Sequence, residues 1–334
     1  MFSFKKNIIQ IQCQIKSFKI QSKIFVILIS LFFVSCDFEN NKKNNVLKKT
    51  YDVKFDRFEK KFFQSNDDSL DILIENYPYL FPRQYQISDW IAIKKDSTRK
   101  KIFKKSLDVF KDIESIESEI ERIFNKTKFY FSEFIPPKII SINNGIDYKY
   151  KIVDSDSLIL LSLDCYLGDY LLYKNIPNHI SSQMKPDFIK NDLTELISSR
   201  YVGVPIDRKF VSKLIYHGKI IYLMNLISDI PVNQFLGYNK EQTKWIENNK
   251  KNVWKYFIEN DLLFSTKSSL DYRFLANAPF SKFGLSIDYE SPPMVGKWIG
   301  YQIVKSFAKN KNIFEILSMD NYKLYLNSNY KPIK

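Results

Sequence analysis

The sequence predicts an α+β fold: one mainly helical domain carrying a small mixed or antiparallel sheet. Three observations lead there. Two short apolar runs stand mid-chain, at residues 139–142 and 158–163, bounded by turn residues. Over most of the remaining chain, apolar residues instead recur at steps of three and four, the helical period. Hydrophobic residues make up 45% and charged residues 26% of the 334, enough to build a core and close to globular usage. The same composition excludes some functions. Only eight glycines occur, none spaced as GxGxxG or GxxxxGK, so a glycine-cradled phosphate site is not expected. The two histidines, His179 and His217, are far apart and cannot make an HExxH pair.

The N-terminal segment carries Lys5, Lys6, Lys16, Lys19 and Lys23 and no acid before residue 24, followed by an apolar run over residues 24–34. That order is a secretory signal. Eleven residues make a helix of about 16 Å against a hydrocarbon core of about 30 Å, too short to span. The run ends in Phe33-Val34-Ser35-Cys36, which resembles a bacterial lipobox, although phenylalanine stands where leucine is usual. Residues 1–35 are therefore expected to be a lipoprotein signal peptide. Cys36 is expected to carry diacylglycerol as a thioether and to tie the chain to a membrane. Residues 36–50, rich in Asn and Lys, read as a tether with a root-mean-square reach of roughly 20 Å. Cleavage removes Cys13 and lipid occupies Cys36, so Cys165 has no disulfide partner. It reads as a small buried hydrophobe rather than a nucleophile.

Residues 51–334 form the domain. Tyr51, Val53 and Phe55 alternate with polar residues as a strand does, and Phe58, Phe62 and Phe63 mark a helical turn. Asp67 can cap a helix bearing Leu70, Leu73 and Ile74 that ends near Pro78. Residues 96–124 read as one amphipathic helix, or two joined near Asp112. Pro136 and Pro137 introduce the strand at 139–142. Residues 148–153 and 158–163 give two more strands, the last nearly all apolar and so interior. Helices follow over 188–201, 208–227, 241–260 and 293–309, with short turns to 327. In the second of these, Val211, Leu214, Ile215, Ile221 and Leu226 point inward. The helix at 293–309 holds Gly296 and Gly300 beside Trp298. Glycine costs about 1 kcal/mol relative to alanine in a helix, so two in one helix imply that another backbone comes close.

Several segments in one order carry a family likeness. The longest is Glu290-Ser291-Pro292-Pro293-Met294-Val295-Gly296-Lys297-Trp298-Ile299-Gly300-Tyr301-Gln302. Others are Phe62-Phe63-Gln64-Ser65, Leu163-Asp164-Cys165-Tyr166-Leu167-Gly168, Ile215-Tyr216-His217-Gly218-Lys219, Leu236-Gly237-Tyr238 and Ala278-Pro279-Phe280. Together they resemble the gliding motility lipoprotein GldB family of Bacteroidetes from about residue 55 onward, with Pro293 standing where that family usually has glycine. The resemblance implies a cell-envelope lipoprotein, in the inner or outer membrane, required for gliding motility. It also implies association with other envelope proteins of the gliding and type IX secretion machinery, and it brings no known catalysis or cofactor. It marks Asp164, Tyr166, Gly168, Glu290, Ser291, Gly296, Trp298, Gly300 and Gln302 as motif positions. The order of helix, sheet and helix is also similar to gluzincin-like zinc metallopeptidases. The helix that carries HExxH in those enzymes reads Asn191-Asp192-Leu193-Thr194-Glu195 here, without either histidine, so a metal site of that ancestry would be lost.

The expected role is thus a non-enzymatic structural or interaction component. The alternative is an envelope hydrolase or glycan-binding lipoprotein, suggested by 4 Trp, 21 Tyr and 28 Phe and by the carboxylates Asp164, Asp169 and Glu290. Asp164 is expected to cap a strand end or bind a nearby amide, and His217 to be a satisfied polar residue rather than a ligand or base. The formal charge of +14 comes from 44 Lys and only 7 Arg, interleaved with acids, which does not suit nucleic-acid binding.

Overall fold

A computed structural model of the chain describes residues 51–286 and 288–332. The signal peptide, Cys36 and the tether lie outside these residues. Helices dominate, and one four-stranded mixed sheet runs in the order β1 (Asp56–Arg57), β2 (Lys138–Ile142), β4 (Leu158–Ser162), β3 (Ile152–Ser155). β1, β2 and β4 are parallel, with Ile140 opposite Asp56 and Leu160, and β3 is antiparallel to β4. β4 is interior, as its apolar run predicts. Successive side chains of β2 serve opposite faces. Ile139 joins Ile159 and Leu161 under α5 (Glu114–Tyr130) and α7 (Asp187–Ser199). Ile140 packs with Phe58, Phe62 and Phe81 on the other side.

The first segment alternates as predicted, with Val53 and Phe55 buried, yet ladder pairing starts only at Asp56. α1 (Phe58–Gln64) and α2 (Leu70–Asn76) follow. Asp67 does not cap α2. It sits in a 3-10 turn (Asp67–Ser69) and pairs with Lys94 and Lys95 at 3.1 and 2.9 Å, at the end of α3 (Ile87–Lys95). The long helical pattern resolves into two helices, α4 (Ser97–Val109) and α5. Asp96 caps the first through the Arg99 amide, and Asp112 marks the joint by accepting from the Glu114 amide. Residues 148–150 form a 3-10 turn, so β3 begins only at Ile152.

After the short α6 (Asn178–Ser181) and α7, the helical half forms around α8 (Phe210–Ser228), which is apolar on nearly every side and accordingly central. Leu226 is only half-buried; Met224 and Ile227 take the inward positions. α9 (Val232–Phe235), α10 (Lys240–Glu259), α11 (Ser269–Phe274), α12 (Val295–Phe307), α13 (Ile313–Ser318) and α14 (Asn321–Ser328) complete the domain. α10 opens with a reciprocal cap, Asn239 and Gln242 each accepting the other's amide.

The glycines of α12 do what their spacing predicts. A Cβ on Gly300 would lie 1.8 Å from the Leu214 carbonyl oxygen, and one on Gly218 would lie 2.3 Å from the Gly300 backbone. α8 and α12 thus meet main chain to main chain, closer than the usual 8–10 Å interaxial spacing permits with side chains between. α12 starts at Val295, two residues later than expected, because Met294 adopts a left-handed φ of 54°. The stretch before it is pinned by Tyr238 Oη donating to the Pro293 carbonyl at 2.7 Å.

Beside the crossing, Lys219 is 2% exposed and its Nζ donates to the Leu317 and Met319 carbonyls at 3.1 and 2.6 Å. It thereby satisfies the C-terminal carbonyls of α13 and its dipole. Burial lowers its pKa from 10.5 to about 8, against the opposing pull of Asp320. Between those two values the unfolded lysine holds a proton that the folded one does not, so folding becomes more favourable as pH rises through the window and loses that gain as pH falls to 8. The stability of the wild type minus that of Lys219→Met, followed by denaturant titration, is expected to rise by about 1.4 kcal/mol per pH unit there. A flat difference would refute the assignment.

Candidate functional site

Three of the motif residues, Asp164, Tyr166 and Gly168, gather at the turn that ends β4, around two carboxylates. Asp164 lies in the 3-10 turn Leu163–Tyr166 that ends β4, fully buried. Its Oδ1 accepts from the Asn144 amide at 3.2 Å, and its Oδ2 accepts from the Gly145 and Ile146 amides at 2.7 and 2.8 Å. It binds neighbouring amides, one of the two roles expected of it. Burial pushes its carboxyl up while those amides pull it down, and burial prevails. The loop it holds follows β2 and contains two left-handed residues, Gly145 (φ 90°) and Ile146 (φ 64°). An isoleucine there is strained. Behind it, the Tyr173 hydroxyl donates to the Asp164 carbonyl at 2.7 Å and accepts from the Leu167 amide at 2.7 Å. Gly168, at a φ of 66°, donates to the Met184 carbonyl. Cys165 is buried, and burial raises its thiol pKa, as befits an inert core residue.

The second carboxylate is Asp192 on α7. Its Oδ2 receives the Tyr166 hydroxyl at 2.6 Å and Lys151 Nζ at 2.6 Å, joining the turn after β4, the start of β3 and α7. Burial raises its carboxyl pKa, and Lys151 and Tyr166 oppose that shift. The spacing of HExxH is what brings this residue into view. Asn191 and Asp192 line a cleft of about 170 Å³ between α7 and α8, with Glu195 and with Lys297 of α12. Glu195 is exposed and reaches Lys297 at 4.0 Å. The cleft meets a wider one, about 680 Å³, at Asn277 and Lys297. His217, Tyr216, Lys213 and Asp271 line the wider part, with Lys213 and Asp271 paired at 2.7 Å. Burial and the nearby Lys297 lower the His217 pKa to about 3, so it is neutral at ordinary pH. Among the described residues, no group of three or more His, Cys, Asp or Glu stands where it could hold a metal.

The remaining motif residues shape the chain. Ser291 is buried, its hydroxyl donating to the Ser281 carbonyl at 2.9 Å or to that of Asp288 at 2.7 Å. Gly296 packs against Leu214, Leu275 and the Phe274 carbonyl, Trp298 is buried in the helical core, and Gln302 is half-buried on α12. Glu290 is exposed on a 3-10 turn (Asp288–Glu290), while Asp164 is sealed beneath the 143–147 loop, so the two are not a carboxylate pair facing a common space. Asp169 accepts from the Leu171 and Leu172 amides and pairs with Lys105 at 3.4 Å. Sequence reasoning missed Lys151 and the occupied Asp192 carboxylate, because neither partner is near the other in the chain.

A family model described as gliding motility protein GldB matches residues 39–332. No curated protein and no solved structure matches the chain. Among the described residues, no helix is long and apolar enough to cross a membrane.

Proposed function

This chain belongs to the gliding motility protein GldB family, and from that premise we propose that it serves gliding as a cell-envelope lipoprotein, lipidated on Cys36, whose role is structural rather than enzymatic. In this reading it works by contact with other envelope proteins of the gliding and type IX secretion apparatus. One observation carries the non-enzymatic part: the motif positions at the helix crossing and at the end of β4 are spent on holding the fold. Gly218 and Gly300 admit a main-chain crossing, Asp164 gives both oxygens to backbone amides, and Tyr166 is locked on Asp192. A catalytic carboxylate needs an oxygen within hydrogen-bond reach of substrate, and Asp164 is fully buried with both oxygens turned to backbone amides.

Cys36→Ala is expected to release the protein from membranes and to abolish palmitate labelling. Labelling that persists in the variant would refute the lipid site. Turnover of a peptide or glycan substrate by the purified chain would overturn the non-enzymatic role without touching the anchor. Capture of neighbouring envelope proteins by the lipidated chain in intact cells, and its loss in Cys36→Ala, is the expected sign of contact at the membrane.

A further inference from the structure

A second cavity, separate from the α7–α8 cleft, opens at the carboxyl end of β2, the edge of a parallel sheet where ligands are commonly held. Its volume is about 320 Å³. The walls are aromatic and come from α1, α3 and the chain between α2 and α3. Phe81 and Trp90 meet edge to face at 5.0 Å between centroids, Phe62 reaches Trp90 at 6.2 Å, and Phe58 reaches Phe81 at 5.8 Å. Such a cavity is built for an apolar body.

Its polar lining is Glu59, Tyr85, Arg99, Asn143 and Asn144, and the Asn144 side chain is spent on its own loop, donating to the Asp147 and Tyr150 carbonyls and accepting from the Asp147 amide. Asn143 follows β2, and its Nδ2 is buried with no hydrogen-bond partner. Arg99, in the first turn of α4, lines the same cavity, and its guanidinium makes no hydrogen bond or ion pair with a described residue. Glu59 also lines it, but both its oxygens are taken, one by Arg57 Nε at 2.5 Å and the other by the Ser141 hydroxyl at 2.7 Å. The unspent capacity is therefore donor capacity, one neutral and one cationic. A buried donor left without a partner costs on the order of a lost hydrogen bond, so a ligand supplying an acceptor is favoured there. Gly145 makes room for the cation: a Cβ at that position would stand 3.1 Å from an Arg99 guanidinium nitrogen. The Asp164 carboxylate holds this glycine in its left-handed turn, which ties the motif acid to the cavity it does not itself touch.

We propose that this cavity is a binding site for a small apolar carboxylate, its ring or chain between the aromatic walls and its carboxylate on Arg99 and Asn143. Arg is the side chain best shaped for a carboxylate, and the pairing is strengthened by the apolar surround. Nothing in the site depends on the lipid anchor or on the role in gliding.

The test uses the full-length chain in detergent with 5-fluorotryptophan in place of its four tryptophans, and 3-phenylpropionate as the probe. The Trp90→Phe variant identifies the Trp90 fluorine resonance. That resonance is expected to shift saturably with 3-phenylpropionate while those of Trp245, Trp254 and Trp298 stay in place. The neutral 3-phenylpropionamide is expected to bind about tenfold more weakly, as is the acid to Arg99→Met, with partial recovery in Arg99→Lys. Acid and amide binding alike, an Arg99→Met variant that binds like wild type, or no Trp90 shift at about 10 mM probe would each overturn the proposal. So would a Trp90 shift given by an N-acetylglucosamine trimer but not by the acid, which would mark a glycan site instead.

Discussion

Gly300→Ala is expected to destabilise the domain by about 3 kcal/mol or more, and Gly218→Ala by a similar amount, whereas Gly203→Ala changes stability by no more than about 0.5 kcal/mol. The contrast follows from what a methyl group would meet. At Gly300 it would stand 1.8 Å from a carbonyl oxygen, at Gly218 it would stand 2.3 Å from the opposing main chain, and at Gly203 nothing lies within 4 Å. A flexible side chain could swing aside, but a helix backbone cannot, so α8 and α12 would have to move apart along their length. Separation would loosen Val295, Ile299 and Ile303 from Leu214 and Ile215, all of them fully buried in one cluster. Alanine gains about 1 kcal/mol of helix propensity over glycine, which offsets only part of that loss. Denaturant titration of the three variants reads the result directly. Equal midpoints for Gly300→Ala and Gly203→Ala would refute the close crossing. Because the effect lies in the core, it should also lower the yield of folded protein.

The helical half was legible because its signals are local. Apolar steps of three and four put α8, α10 and α12 within two residues of their observed ends, and glycine spacing on α12 announced a backbone contact before any partner was known. The partner itself, Leu214 on α8, could not be read, since 86 residues separate it from Gly300 and nothing local links them. The sheet was read less well at its rims. Residues 51–55 alternate as a strand does because Val53 and Phe55 pack inward, yet burial alternation alone does not supply a ladder partner, and only Asp56 and Arg57 reach β2. At the site, Asp164 was legible as an acid at a strand end with a nearby amide as its target. Which amides it holds was not, because the left-handed φ of Ile146 runs against that residue's own preference and nothing local in the sequence announces it. The Arg99 guanidinium, without a partner among the described residues, was hidden for the opposite reason. In sequence it is one more charge on a basic helix start, and only the surrounding aromatics set it apart.

Asp164→Ala is expected to cost about 3–5 kcal/mol, and Asp164→Asn about half of that, measured by denaturant unfolding. Alanine removes the acceptor for three amide groups at once, and each orphaned donor near the interior costs on the order of 1–3 kcal/mol if water cannot replace the carboxylate. Part of the cost is recovered, because burying a charge is itself unfavourable and the variant no longer does so. Asparagine keeps one acceptor oxygen, enough for two of the three amides, but turns an NH2 group toward the third. The Asn144 side chain also braces the loop, donating to the Asp147 and Tyr150 carbonyls at 3.0 and 3.2 Å and accepting from the Asp147 amide at 2.9 Å, but none of these bonds holds the Gly145 or Ile146 amide. Ile146 sits at a φ of 64°, which a β-branched residue adopts only under constraint, so loss of the carboxylate should let residues 143–147 relax. Relaxation would move Gly145 away from the Arg99 guanidinium and shift Asn143, so the variants report on two properties at different thresholds. Hydrogen exchange at the Gly145 and Ile146 amides should accelerate in Asp164→Asn while the α8–α12 core remains protected. Unchanged exchange at those two amides, with the core equally protected, would show that the loop is shaped by its own packing and that the buried acid is not its anchor.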